Sequence, residues 1–269
     1  MDINERRDRY QNLKQKISRR GSILIAYSGG VDSALLAAVA TEVLRENAHC
    51  VFLDGPLVPR SAVIDAQRIG HDLGLSLEIM KKSGLSDMIR KNPHDRCYYC
   101  KKEDAQILKQ RAHERGLSWV ADGINLSDMD EHRPGIIAST EEGIIHPFIE
   151  AGLTKEDIRN IARKRGYDFW NKPSAACLSS RIPYGKEITE ENLRIIEIAE
   201  DYLHSRGFLQ IRVRLDSRTA RIEAEDADLH RITAMRDDIV REFRRLGITY
   251  ITLDLQGYRS GSMDEVLKG

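Results

Sequence analysis

Short apolar runs separated by longer amphipathic stretches dominate the first half of this chain. Residues 3–19 place apolar side chains at helical spacing, with Leu13 and Ile17 on one face. An unbroken apolar run at 22–27 follows, then an Ala/Leu-rich helical stretch over 31–46. A second run, His49–Asp54, ends at the breaker Gly55-Pro56, and a helical pattern over 60–73 leads to a third run, Leu75–Met80. After a polar stretch interrupted by Asn92-Pro93, a helix opens at Cys97, runs to Arg115 and gives way to a fourth run, Trp119–Gly123. Continuous apolar strands joined by helices of this length predict a parallel sheet covered on both faces, hence an α/β doubly wound fold.

The pattern then loosens. Ile144–Phe148 is a short apolar segment, and Thr154-Lys155-Glu156-Asp157 reads as the cap of a helix through Ile158–Arg165 that stops at Gly166. Residues 167–186 have no period yet are rich in Ser, Pro and reactive side chains, as an ordered binding loop would be. Beyond Gly185 the texture changes. A helix starts at Thr189-Glu190-Glu191-Asn192 and runs to Arg206; the alternating Leu209–Leu215 is answered by Thr219–Ala224 across Asp216-Ser217-Arg218 as a hairpin. A helix over 226–245 and a strand over 248–254 close the chain. The expectation is one domain over 1–186 and a smaller α/β domain over 187–269.

Composition narrows the partners. Lys+Arg and Asp+Glu are equal at 42 each among 269 residues, and the absence of net charge speaks against a dedicated nucleic-acid binder. No apolar run approaches the ~20 residues that span a bilayer. Met1–Arg7 opens an amphipathic helix rather than a signal segment. A cytoplasmic protein with no membrane association is expected, and its four cysteines are not expected to form structural disulfides.

The first apolar run ends in Ser28-Gly29-Gly30-Val31-Asp32-Ser33 and passes directly into a helix. Strand, glycine turn and helix start aim several backbone N–H groups at one point, and the glycines admit a ligand where a Cβ would block it. The expected ligand is a phosphate, at the carboxyl end of a strand where open α/β sheets bind. The bland alternative is a plain tight turn; the carboxylate of Asp32 and hydroxyl of Ser33 at the helix start argue against it. Neither Gly-x-x-x-x-Gly-Lys-Ser/Thr nor Gly-x-Gly-x-x-Gly is present, so the loop is neither of the two commoner phosphate cradles. Cys97-x-x-Cys100 taken with Cys177 leaves four readings open: a redox dithiol, part of a zinc site with His94 or His132, a three-thiolate 4Fe-4S cluster with one open iron, or unconnected thiols. Cys50, in the second apolar run, reads as core.

The loop resembles the PP-loop, Ser-Gly-Gly-x-Asp-Ser, of the ATP pyrophosphatase superfamily, whose fold is adenine nucleotide alpha-hydrolase-like. That resemblance implies attack of a substrate oxygen on the α-phosphorus of ATP, with pyrophosphate leaving into the loop. It implies that Ser28, Gly29, Gly30 and Ser33 bind phosphate and that Asp32 helps to hold Mg2+. Asp122-Gly123-Ile124-Asn125, Arg133-Pro134-Gly135, the segment from Lys172-Pro173-Ser174-Ala175-Ala176-Cys177 to Tyr184-Gly185, and the tail Gly257–Ser262 together resemble the LarE family. These are ATP-dependent sulfur transferases that build a nickel-pincer nucleotide cofactor.

The LarE resemblance runs from Ser28 to Ser262 and carries further implications. ATP adenylates a carboxylate of a pyridinium mononucleotide, a small-molecule nucleotide substrate, and sulfur then displaces AMP to leave a thiocarboxylate. Asp122 and Gly123 join the nucleotide site. Cys177 matches the sulfur-bearing cysteine, and Glu200 is an acidic catalytic residue. In one-cysteine members that cysteine surrenders its own sulfur; Cys97, Cys100 and Cys177 make this chain resemble the three-cysteine type, in which a 4Fe-4S cluster carries a replaceable sulfide. Arg181, Arg212 and Arg214 become a clamp for the substrate phosphate. Arg212 and Arg214, two apart on a strand, share a face that otherwise reads as merely solvated. Glu223 and Asp216 are weaker candidates. A homo-oligomer is also implied. The rivals are a cluster-dependent tRNA thiolation enzyme, an amidating PP-loop ligase that would not need Cys177, and a non-catalytic nucleotide sensor.

Overall fold

A computed structural model describes residues 3–130, 134–173, 176–259 and 261–267. His132, and the motif residues Arg133, Ser174, Ala175 and Ser260, lie outside the described residues. Helices and strands follow in the order α1 (Ile3–Ser18), β1 (Ile23–Ala26), α2 (Val31–Leu44), β2 (Ala48–Asp54), α3 (Arg60–Asp72), β3 (Leu77–Lys81), α4 (Asp87–Arg90), α5 (Arg96–Glu114) and β4 (Val120–Ala121). Next come α6 (Pro134–Glu141), α7 (Pro147–Glu150), α8 (Lys155–Lys164), α9 (Glu190–Ser205), β5 (Ile211–Asp216), β6 (Thr219–Ala224), α10 (Asp226–Ala234), α11 (Arg236–Arg245) and β7 (Tyr250–Leu253). They divide into two units, Met1–Gly84 with Asp95–Ala175, and Leu85–His94 with Ala176–Gly269.

In the first unit four strands pair in parallel in the order β3-β2-β1-β4. Ile23 and Ile25 of β1 join the core formed with α1, α2 and α8, while Leu24 joins a second core with Ala105, Leu108 and Ala112 of α5. Burial on both faces is why the strand is apolar at every position. Helix α2 touches α1, α8, β1 and β2, and its side chains from Ser33 to Ala40 are all buried. An Ala/Leu/Val helix without a polar face suits that position. The fourth strand is shorter than the apolar run, but Ile145 bridges Ala121 in parallel and extends the sheet. Thr154 and Asp157 form a reciprocal capping box at the start of α8.

In the second unit β5 and β6 form the antiparallel hairpin, and β7 pairs with β6 in parallel. Two features differ from the sequence pattern. The helix expected over 226–245 is two helices broken at Met235. Thr233 bonds back to the carbonyls of Leu229 and His230 at 2.7 and 3.0 Å, a local competition that bends helices. The segment 176–186, grouped by sequence with the first domain, packs with the second unit. There the Asn92 side chain donates to the carbonyls of Ile182 and Pro183, and the Gly185 and Ile188 amides donate to the carbonyls of Asn92 and Arg90. These bonds join stretches some ninety residues apart in sequence.

Candidate active site

The PP-loop-like turn sits where the strand order reverses, between β1 and β4, the place at which open α/β sheets take ligands. Ser33 Oγ accepts from the Ser28 amide at 3.1 Å and lies 3.0 Å from Ser28 Oγ, which closes the turn on itself. Gly30 caps α2 without a side chain, so it covers none of the helix's first amides. Gly29 has φ 68°, and a Cβ there would lie 2.8 Å from Ala66 Cβ. Gly123, just beyond β4, lies against the start of α2; a Cβ on it would come within 2.9 Å of the Ser33 nitrogen. Glycine is required at both positions, at the first by conformation as well as contact.

Two lysines meet this turn from far along the chain. Lys155, the first residue of α8, forms an ion pair with Asp32, whose other oxygen accepts from Asn125 at 3.4 Å. Lys172 donates to the Gly29 carbonyl at 3.1 Å and pairs with Asp65 at 2.8 Å. Arg159 holds the carbonyls of Trp170 and Lys172 and so steadies that approach. Two ammonium groups thus stand at this turn from outside the motif. Nothing local in the sequence marks Lys155, which reads only as part of a cap. Asp32 presents a partly exposed carboxylate, a hard oxygen donor, at the start of α2. Asp122 also belongs to this unit: its Oδ1 lies 2.7 Å from His146 Nδ1.

Cys97 and Cys100 stand one turn apart at the start of α5, in the first unit, and Cys177 belongs to the second. Cys100 Sγ lies 3.9 Å from Asp104, which also pairs with Lys82 at 2.9 Å. Burial pulls down on the Lys82 ammonium, but Asp104 and Glu103 together lift it above its ordinary value. Among the described residues no three Cys, His, Asp or Glu side chains are gathered as a metal site. Cys50 is fully buried, and burial pushes its thiol up to about 12, as a core residue requires.

The second unit gathers the Cys177 turn, the β5 arginines and the tail. Cys177 is exposed, with its Sγ 2.8 Å from Ser179 Oγ. Arg181 donates to the carbonyls of Ala176 and Cys177 at 2.8 and 3.0 Å and forks onto Glu200 at 3.0 and 2.9 Å. Arg214 forks onto the fully buried Glu223 at 3.0 and 2.7 Å, bonds the Ser180 carbonyl, and reaches Ser262 Oγ at 2.7 Å. Glu200 also accepts the Val213 amide at 2.8 Å, so its oxygens are committed to holding the unit together. Arg212 differs from its two neighbours. It is buried, bonds the Ile211 carbonyl at 2.7 Å, and faces the Tyr258 ring at 5.3 Å. Among the described residues it has no carboxylate at ion-pair distance; burial first, then Arg181, holds its guanidinium below the usual arginine range. Of the expected clamp, Arg181 and Arg214 are each paired with a buried glutamate and bond carbonyls of the Cys177 turn, whereas Arg212 has no such pair among the described residues.

This fold and loop define an ATP-using enzyme of the PP-loop ATP pyrophosphatase class. Residues 5–111 match the NAD synthase family. The chain is 36% identical over 247 residues, 91% of its length and 90% of the relative's, to the pyridinium-3,5-bisthiocarboxylic acid mononucleotide synthase of Lactiplantibacillus plantarum. An uncharacterised Synechocystis protein is 38% identical over 96% of this chain and 97% of its own length. A glutamine-hydrolysing GMP synthase of Bdellovibrio bacteriovorus is 25% identical over 71% of this chain and 42% of its own. The chain belongs to the LarE family. Among the described residues no helix is long and apolar enough to cross a membrane.

Proposed function

We propose that the protein adenylates a carboxylate of a pyridinium carboxylate mononucleotide and converts it to a thiocarboxylate, with Cys177 carrying the sulfur. One observation carries this reading. An exposed thiol sits on a turn whose carbonyls are pinned by buried arginines, each backed by a buried glutamate. The name of the Lactiplantibacillus relative supports the substrate class. A carboxylate oxygen attacks the α-phosphorus, the bond to the β-phosphate oxygen breaks, and pyrophosphate departs toward Ser28–Ser33. Lys155 and Lys172 stand beside that loop to take up its charge. Mg2+ bound with ATP would neutralise part of the same charge, with Asp32 as its protein ligand. The Cys177 thiolate then attacks the acyl carbon and AMP leaves. Loss of the Cys177 α-proton with cleavage of its Cβ–S bond releases the thiocarboxylate and leaves dehydroalanine. Arg212 is the residue for the substrate phosphate.

A sulfide held by a 4Fe-4S cluster on Cys97, Cys100 and Cys177 is the alternative source of sulfur. The test is anaerobic purification with iron and sulfide analysis, followed by ATP, Mg2+ and the mononucleotide, with intact mass read before and after. The expected outcome is one turnover, with the chain lighter at Cys177 by the mass of one hydrogen sulfide, in wild type and in Cys97→Ala. Bound iron, repeated turnover at unchanged mass and inactivity of Cys97→Ala would transfer the sulfur source to the cluster. Product formation by Cys177→Ala would instead favour amidating chemistry and reject this reading.

A further inference from the structure

The geometry points to Asp122 as a reader of the nucleoside part of ATP, set in place by His146. This inference rests on ATP binding at the PP-loop. Asp122 follows β4 and is buried. Its Oδ1 accepts from the Ile124 amide at 3.2 Å and lies 2.7 Å from His146 Nδ1. Its Oδ2 is equally buried and has no partner among the described residues. A buried carboxylate oxygen without a donor is costly, and its natural relief is a donor that arrives with a ligand.

The other half of the pair is held from behind. His146 Nε2 lies 3.0 Å from Thr140 Oγ1, and the Thr140 hydroxyl donates to the Ile136 carbonyl at 3.0 Å in α6. The backbone fixes the approach as well: the Ile145 amide donates to the Val120 carbonyl and the Asp122 amide to the Ile145 carbonyl. The ring is thus held between Asp122 Oδ1 and Thr140 Oγ1, and with Oδ1 engaged the acceptor of Asp122 left over is Oδ2. The next residue, Gly123, packs against Asp32 and Ser33, so Asp122 adjoins the phosphate loop through its chain neighbour.

Chemistry narrows the donor. The phosphates of ATP and the carboxylate of a substrate present acceptors only, whereas the adenine amine and ribose hydroxyls of ATP donate, as do the ribose hydroxyls of a mononucleotide substrate. The place of Asp122 next to Gly123 at the ATP phosphate loop assigns the donor to ATP. The pair Asp122–His146 therefore selects the nucleoside, with His146 as a positioning residue and Asp122 as the contact. No signal in the sequence marks His146, which stands in an unremarkable apolar segment.

The experiment is calorimetric binding of Mg·ATP, Mg·ITP, Mg·2′-dATP and Mg·3′-dATP to the full chain. ITP lacks the adenine amine, and the deoxy forms each lack one hydroxyl, so the arms separate the two sources of the donor. Wild type is expected to bind one of these analogues about 10- to 100-fold more weakly than ATP, the loss of one hydrogen bond to a charged acceptor. That ratio should collapse in Asp122→Ala, shrink in His146→Ala, and return in His146→Asn, whose amide restores a donor near the Nδ1 position. The inference is overturned if wild type binds all four nucleotides within about twofold, or if Asp122→Ala keeps the wild-type ratio. The wild-type arm needs no variant to fold. Failure of wild type to bind ATP at all would reject the adenylation reading itself, whereas binding without discrimination rejects only this inference.

Discussion

Replacing Glu200 by Gln removes a charge and almost no volume from the centre of the second unit. Glu200 Oε1 accepts from Arg181 Nε at 3.0 Å and from the Val213 amide at 2.8 Å, and its Oε2 accepts from the second Arg181 nitrogen at 2.9 Å. Both side chains are buried, at 3% and 8% exposure. The amide can keep the two Oε1 bonds but turns an N–H toward a guanidinium N–H at the third. Breaking a buried pair by removing one partner costs roughly 3–5 kcal/mol. With two bonds retained, the lower end applies, about 3 kcal/mol, or roughly a 100-fold change in an opening equilibrium. Native-state hydrogen exchange resolved by mass spectrometry reads this locally. Peptides covering Cys177–Arg181 and β5 should lose about 100-fold protection, while α2 keeps its own. The double variant Arg181→Met/Glu200→Gln should cost less than the sum of the two single changes, because no buried charge is then stranded. A change in protection below about threefold in Glu200→Gln would refute the claim that this pair anchors the Cys177 turn.

Two further predictions concern the first unit. Gly29→Ala would place a methyl 2.8 Å from Ala66 Cβ and 2.9 Å from Ala66 Cα at φ 68°, so it should lower the thermal midpoint and weaken ATP binding; an unchanged midpoint and affinity would count against this packing. Cys50 has its thiol raised from 9.0 to about 12, so its contribution to stability is complete below pH 9 and is lost as pH rises toward 12. Between those limits it should cost about 1.4 kcal/mol per pH unit. Midpoints measured from pH 8 to 10 should fall less steeply in Cys50→Ala than in wild type, and parallel slopes would count against burial as the cause.

Much of the fold was legible because burial imposes simple patterns. The apolar runs at β1 and β2 suit strands buried on two faces, and the unbroken apolar stretch 34–40 of α2 suits a buried helix. The alternation of 209–215 and 219–224 left little but a hairpin. The broken helix at Met235 was not legible, since a back-bonding Thr233 costs a helix too little to register in its periodicity. The packing of 176–186 with the second unit was hidden for a different reason: it depends on Asn92 and Arg90, whose partners lie far along the chain.

The sequence by itself determined the chemistry at the phosphate loop, because Ser28–Ser33 is a local device: a turn, two glycines and a helix start are contiguous residues whose geometry follows from their own backbone. It also singled out Cys177 and the three arginines as candidates. Only the tertiary structure shows what each touches. Lys155, Lys172 and His146 come to the first site from separate elements, and no spacing rule connects them to the loop. Arg181 and Arg214 were sorted from Arg212 by two glutamates, Glu200 on α9 and Glu223 on β6, that take up one charge each and leave the third. Charge pairing in a buried place depends on which side chains the fold brings within a few ångströms, and that is a property of packing rather than of order along the chain.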